Sequence, residues 1–431
     1  MSDLTTAISG PMVQEYKSIS SLKVSRVSIQ PENKTTLTLS AGNTSDVYFS
    51  FPSRPASFLN GKNSYLTFTY KYSGTASAGR TVSIANGTSG NFIKNLETVA
   101  GATSLELIQG YDALSSVVDD FQGSARGQTL GNILEDKAAY DKTFEVIKEG
   151  VSRSIAANGA GYTESRRVCI PLISLAVGVL QDKCMPMGND VGLRLRLTFN
   201  DPNVALVLSD GDGNPTLGYT LEDITFEAEY LDSDPGTYNA IVEESGGIMK
   251  VTGTGISNFQ SSLPSASGAT SNTILVPARY SSVRNYLTSF RCSQSVTSPT
   301  CNSPGARTRA NTDSWVFRIH GRNYPNLPVV ADSFNSSETM CETLKCFHAL
   351  HDTQSNVCFN AENWVDNNYN SSDLLVQQKK TSSFLLGVDF EEAQFSASQL
   401  SGMDTNSSNT FISTTHSAGY PALSVDTFLF L

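Results

Sequence analysis

Nine residues, Val191–Phe199, constrain this chain more than any others: Val191, Leu193, Leu195, Leu197 and Phe199 alternate with Gly192, Arg194, Arg196 and Thr198. A period of two puts successive side chains on opposite faces of a strand, one buried and one wetter. Such a strand needs an apolar layer facing it, so the chain must build packed sheets. Related patterns recur at Leu22–Gln30, Thr35–Leu39, Asp46–Phe51, Ser64–Tyr72 and Thr220–Leu231. Ile248–Thr252, Thr273–Pro277, Val283–Phe290, Trp315–His320, Phe384–Phe390 and Ala422–Phe430 continue them to the end of the chain. Asn60-Gly61 is the turn expected before Ser64. The polar share supports an all-β reading, because only 16% of the 431 residues are charged and Ser, Thr and Asn supply most of the polarity.

One segment departs from this rhythm. In Thr103–Phe121 the apolar residues Leu107, Tyr111, Leu114, Val118 and Phe121 fall three or four apart, the stripe of an amphipathic helix. Glu106, Asp112 and Asp119 then belong to its other faces, and Leu130–Glu149 supplies more helix. Asp232–Gly247 is turn-rich and divides two β-rich halves. The expected partition is an N-terminal arm at 1–16, a first sandwich at 17–235 with a helical insertion near 103–149, a linker at 236–247 and a second sandwich at 248–431. Gly253–Asn272 and Ser293–Thr312 read as long surface loops.

Charge limits the partners. The 30 Lys and Arg stand against 41 Asp and Glu, a net charge of −11, and no Lys or Arg precedes Lys17. Packaging a genome directly needs clustered cations to neutralise phosphates, so no basic arm grips nucleic acid. Arg166-Arg167 and Lys379-Lys380 are short and read as solvated loop charge. The start of the chain lacks a basic and apolar leader. The longest apolar run, Cys169–Leu180, is far short of the roughly 20 residues that span a bilayer. A cytosol-like site of synthesis is expected.

Chemistry-bearing motifs are sparse. No G-x-S-x-G, H-E-x-x-H, P-loop or G-x-G-x-x-G occurs. Asp210, Asp212 and Asn214 resemble the start of a calcium loop, but Pro215 and Leu221 stand where its Gly and Glu belong, so a hairpin turn is expected. Cys341, Cys346, His348, His351 and Cys358 cluster without the paired spacings of a zinc site, so packed free thiols are the reading. Among the remaining histidines, His320 suits a packed or edge strand position, and neither it nor His416 has a nucleophile motif beside it. Asp389, Glu391 and Glu392 read as a solvated strand end. The sequons at Asn33, Asn43, Asn86, Asn335, Asn370 and Asn406 mark loops. No catalytic, cofactor-binding or metal site is assigned.

The order of several pieces carries a resemblance. Gly90–Gly101, Leu105–Val118 and Cys169–Gly188 are followed by the strand ending at Phe199 and by ITFEAEYL; FLLGVDFEE and Gln399–Ser408 then precede ALSVDTFLF. This order resembles the double jelly-roll major capsid proteins of tailless icosahedral DNA viruses, of the virophage and Polinton-like type, over nearly the whole chain. The resemblance implies an all-β protein of two consecutive jelly-rolls that forms homotrimeric pseudo-hexagonal capsomers. It implies no enzymatic site and no cofactor. Its partners would be itself, neighbouring capsomers, and penton and minor capsid proteins, in a virion assembled from protein made in the host cytoplasm. The sequence ends at Leu431, directly after its last strand signal, so no longer C-terminal arm is expected. Two other readings remain at this point: a single jelly-roll coat with a projecting β-domain, and a carbohydrate-binding β-sandwich that uses Trp315 or Trp364.

Overall fold

A computed structural model describes residues 22–75, 81–84, 89–122, 155–156, 165–188, 192–208, 216–244, 253–293, 296, 304–305, 307–332, 335–348, 364, 383–391 and 402–431. Eight principal strands form the first unit: β1 (Lys23–Ile29), β2 (Ser45–Ser50), β3 (Ser57–Thr75), β4 (Ile93–Ala100), β5 (Thr103–Gln109), β6 (Ser165–Ile170), β7 (Leu193–Phe199) and β8 (Thr216–Asp232). Eight more form the second: β9 (Ile256–Leu263), β10 (Thr270–Val276), β11 (Asn285–Cys292), β12 (Thr312–Ile319), β13 (Arg322–Val330), β14 (Leu386–Asp389), β15 (Thr410–His416) and β16 (Leu423–Phe430).

The pairing repeats with a shift of eight. In the first unit β1-β8-β3-β6 form one sheet and β2-β7-β4-β5 the other; in the second, β9-β16-β11-β14 and β10-β15-β12-β13 do the same. Every one of these ladders is antiparallel. Two facing four-stranded sheets in this order are a jelly-roll, so the chain holds two in tandem. This excludes the reading of one jelly-roll with a different projecting domain. Leu37–Ser40 extends the first sheet by pairing with β8, and Met185–Pro186 pairs with β3.

The alternation in β7 does what its period requires. Leu193, Leu195, Leu197 and Phe199 are fully buried, while Arg194 and Arg196 are exposed. Phe199 and Phe92 meet Phe68 from the facing sheet at ring-centroid distances of 6.1 and 5.8 Å, edge to face.

Three expectations are corrected. Thr103–Gln109 is a strand, and helix begins only at α1 (Tyr111–Gln122). Gly110, with φ +64, breaks the chain between them; the stripe counted Leu107 as a helical residue, whereas it lies on the exposed side of β5. The rest of the expected insertion, including Leu130–Glu149, lies outside the described residues. Asn60-Gly61 does not separate strands but sits inside the 19-residue β3. There the register against β8 slips between Glu227 and Glu229, and Ser64 Oγ bonds back to Asn60 O at 2.7 Å. The turn chemistry makes a bulge. Finally, the expected linker contains α2 (Pro235–Glu244). Asp234 accepts from Thr237 N at 2.8 Å with Pro235 at the first helical position, so the D-P pair starts a helix instead of a turn.

Both long loops are also revised. Gly253–Asn272 contains β9, and Arg307, Thr308, Arg309, Ala310 and Asn311 are buried. Arg307 and, on β9, Asn258 reach the first unit, whereas Arg309 and Asn311 bond to backbone carbonyls of the second.

Gly61 and Gly178 are required by close approach. A Cβ on Gly61 would lie 2.8 Å from Gly178 N, and one on Gly178 would lie 2.0 Å from Leu172 O. Gly178→Ala is expected to cost about 1–3 kcal/mol in equilibrium unfolding, because backbone must move to admit the methyl. An unchanged denaturation midpoint would contradict the packing described.

Candidate assembly site

The residues that join the two rolls are polar and buried. β5 ends the sheet β2-β7-β4-β5, and α1 follows it across the outer face of the second roll's sheet β9-β16-β11. Asn258 Nδ2 on β9 donates to Gln109 O at 2.6 Å. Asp112, on the first turn of α1, accepts from Asn200 Nδ2 at 2.9 Å and faces the buried pair Arg291–Asp426, whose Nη2 and Oδ2 are 2.6 Å apart. Burial raises the Asp112 pKa, with Arg291 opposing that shift. One α-helical turn later Ser116 Oγ accepts from Arg307 Nη1 at 3.4 Å, and Asp120 forms a buried ion pair with Arg307. In the last turn of the helix Phe121 stacks on Phe347 with centroids 4.8 Å apart.

Glu106 anchors the other end of this seam. Its carboxylate accepts from Ser174 Oγ at 2.7 Å and from Leu175 N at 3.1 Å, with the Ile256 N–H of the second roll as a further donor. Burial outweighs these donors and pushes its pKa up to about 7. Glu106 and Asp112 were expected on the other faces of a helix; both are buried at the seam. Sequence reasoning missed the seam. Asp120 and Arg307 are 187 residues apart, and neither carries a local signal for the other.

The other singled-out residues have structural surroundings. Trp315 is buried and donates Nε1–H to Thr339 Oγ1 at 2.9 Å; Trp364 is buried with its ring 5.3 Å from Phe384. Neither offers an exposed platform for a sugar ring, so the reading of a carbohydrate-binding β-sandwich loses its two aromatic residues. Cys341 is exposed and Cys346 buried on α3 (Ser337–Cys346), and burial pushes the Cys346 thiol pKa well up. His348 follows α3 with Nε2 3.5 Å from Glu391 Oε2; His351 and Cys358 lie outside the described residues. His416 is buried beside Ala310 O at 2.9 Å, and its pKa is lowered by burial. His320 and Gly321, both at positive φ, form the hairpin tip between β12 and β13. Asp389 is half-buried at the end of β14, and burial raises its pKa. Arg166 and Arg167, expected in a loop, instead lie on the strand β6; Asp210–Asn214, Ile248–Thr252, Lys379-Lys380, Glu392 and residues 1–16 are outside the described residues. Among the described residues no group of Cys, His, Asp and Glu has the arrangement to hold a metal, and no helix is long and apolar enough to cross a membrane.

Two jelly-rolls fused through a buried seam define the double jelly-roll class of protein. No family model matches the chain, and no curated protein matches it. Solved structures do match over nearly its whole length. The Faustovirus major capsid protein aligns with a TM-score of 0.60 at 8% identity, covering 96% of this chain and 90% of that one. The Sputnik virophage structure gives 0.57 at 10% identity over 95% and 85%, and the PBCV-1 capsid 0.53 at 10% over 96% and 95%. At such identities the likeness is one of fold. The fold is the double jelly-roll of these viral capsid structures.

Proposed function

We propose that this chain is a major capsid protein that self-assembles as a homotrimeric pseudo-hexagonal capsomer and tiles the icosahedral shell of a virus. The observation that carries this is the repeat of one strand order, β1-β8-β3-β6 over β2-β7-β4-β5, in the second half of the chain. Two equivalent rolls per chain let three chains present six similar walls. The matched capsid structures support the same reading through their shared fold. The role is structural, without catalysis. Penton and minor capsid proteins are the further partners, the virion is the location, and synthesis takes place in the host cytoplasm.

The domain partition is an arm at 1–16, a first roll at 17–235, a connection at 236–247 and a second roll at 248–431. A net charge of −11 fits a shell protein that does not neutralise nucleic acid directly. Size-exclusion chromatography with light scattering should give a mass near three chains, or shell-sized particles visible by electron microscopy. A monomer that persists at high concentration would sink the proposal.

A further inference from the structure

The two rolls use the same sheet face differently. On the outer face of β2-β7-β4 in the first roll, Arg196 stands opposite Tyr48 and Glu97. Its Nη2 is 2.8 Å from Asp46 Oδ2, its Nη1 is 3.3 Å from Glu97 Oε2, and its Cζ is 5.9 Å from the centroid of the Tyr48 ring. Thr198 Oγ1 donates to Asp46 Oδ1 at 2.7 Å. The arginine and the hydroxyl of this face are therefore both taken up within the chain.

The equivalent strands of the second roll, β10-β15-β12, again set an aromatic ring beside an arginine, with Phe411 on β15 opposite Arg318 on β12. Two residues along, Thr273 stands opposite Ser413, as Asp46 stands opposite Thr198 in the first roll. The carboxylates are gone and the hydroxyls remain. Thr273, Arg318, Ser408, Asn409, Phe411 and Ser413 line a hollow of about 360 Å³, within the range of about 300–1,000 Å³ of small-molecule sites. Among the described residues, the side chains of Thr273, Arg318, Asn409 and Ser413 have no hydrogen-bond partner, and no carboxylate lies within ion-pair distance of Arg318.

The rim of the hollow is held in place. His320 N donates to Ser408 Oγ at 3.2 Å and His320 Nε2 to Asp404 O at 2.7 Å, tying the β12-β13 hairpin to the segment before β15. Gly321 follows at φ +75 and adds no side chain that could cover the arginine.

One arginine without a carboxylate calls for one negative charge. A ligand carboxylate supplies it and matches the guanidinium fork in a bidentate pair, whereas a phosphate monoester brings about −1.5 to −2. The unused hydroxyls and amide offer donors and acceptors to a polyol, and the Phe411 ring offers an apolar surface to the C–H face of a pyranose. We propose that this hollow binds a carboxylated sugar, a uronic or sialic acid unit, with Arg318 on the carboxylate, Thr273, Asn409 and Ser413 on the hydroxyls, and Phe411 against the ring. The site belongs to the second roll alone and does not rest on the capsomer reading.

The test titrates the full chain with glucuronic acid, N-acetylneuraminic acid, glucose and inorganic phosphate, followed by calorimetry. At least one of the two acids is expected to bind saturably, and glucose is not. Arg318→Gln, at an exposed position, is expected to weaken the acid about tenfold or more, the worth of a hydrogen bond to a charged group, with thermal melting unchanged. Arg196→Ala, on the equivalent face of the first roll, is expected to leave binding as it was. Failure of both acids to bind, equal binding to Arg318→Gln, or glucose binding as tightly as the acids would each overturn the inference. Phosphate that binds as tightly as the acids and is lost with Arg318→Gln would also overturn it, leaving an anion site without a sugar.

Discussion

Replacing Asp120 with Ala is expected to destabilise the protein by about 3–5 kcal/mol in equilibrium denaturation, the cost of stranding one member of a buried ion pair. Arg307 is 1% exposed, so its guanidinium cannot turn to water when the carboxylate is removed. Ser116 Oγ and Ser383 O still accept from it, at 3.4 and 3.3 Å, but neither supplies a charge. The pair spans the rolls, so its loss should separate their unfolding into two transitions. Two comparisons make the result specific. Replacing both partners, with Asp120→Leu and Arg307→Met, removes the desolvated charges together and should be near neutral or stabilising. Arg196→Ala, which breaks a pair with Asp46 at a 44% exposed arginine, should cost only about 0.2–1 kcal/mol. A cost for Asp120→Ala no larger than that of Arg196→Ala would contradict the buried seam.

The sandwiches were readable wherever burial alternates along a single strand. β7 announces itself because Leu193, Leu195 and Leu197 face the core while Arg194 and Arg196 face water. β9 does not, because its outward Asn258 and Gln260 are occupied by the first roll and by Asp426, so its polar residues looked like loop. β5 was obscured for a related reason. Glu106 is buried while Leu105 and Leu107 are exposed at 41% and 44%, an inversion that no pattern of hydrophobicity predicts for a strand. Asp234-Pro235 carried a legible helix start that turn propensity overshadowed. The seam itself was not legible, since its charges matter only through partners from the other half of the chain. The order of motifs across the whole chain identified the double jelly-roll better than any one element did, because it samples both halves together.

That inverted strand also makes stability depend on pH. Glu106 has an ordinary pKa of 4.5 and is pushed up to about 7 by burial in the folded chain. Between these values the folded state holds a proton that the unfolded state has released, so stability falls as pH rises. The contribution is fully present below about pH 4.5, is lost progressively toward pH 7 and is level above it. At about 1.4 kcal/mol per pH unit, the loss amounts to about 3 kcal/mol. Glu106→Gln keeps a neutral acceptor for Ser174 and Leu175 and removes this proton linkage. The measurement is the unfolding free energy of both proteins at pH 5 and pH 8. Their difference isolates Glu106, because Asp112 and Asp389, whose pKa values burial also raises, and His416, whose lowered pKa acts in the opposite sense, contribute to both. The substituted protein should gain on the original by about 2–3 kcal/mol between those pH values. Parallel pH profiles would mean that Glu106 is ionised in the seam at neutral pH, held there by the Ser174, Leu175 and Ile256 donors. The strand would then join the rolls through a buried charge instead of a shared proton.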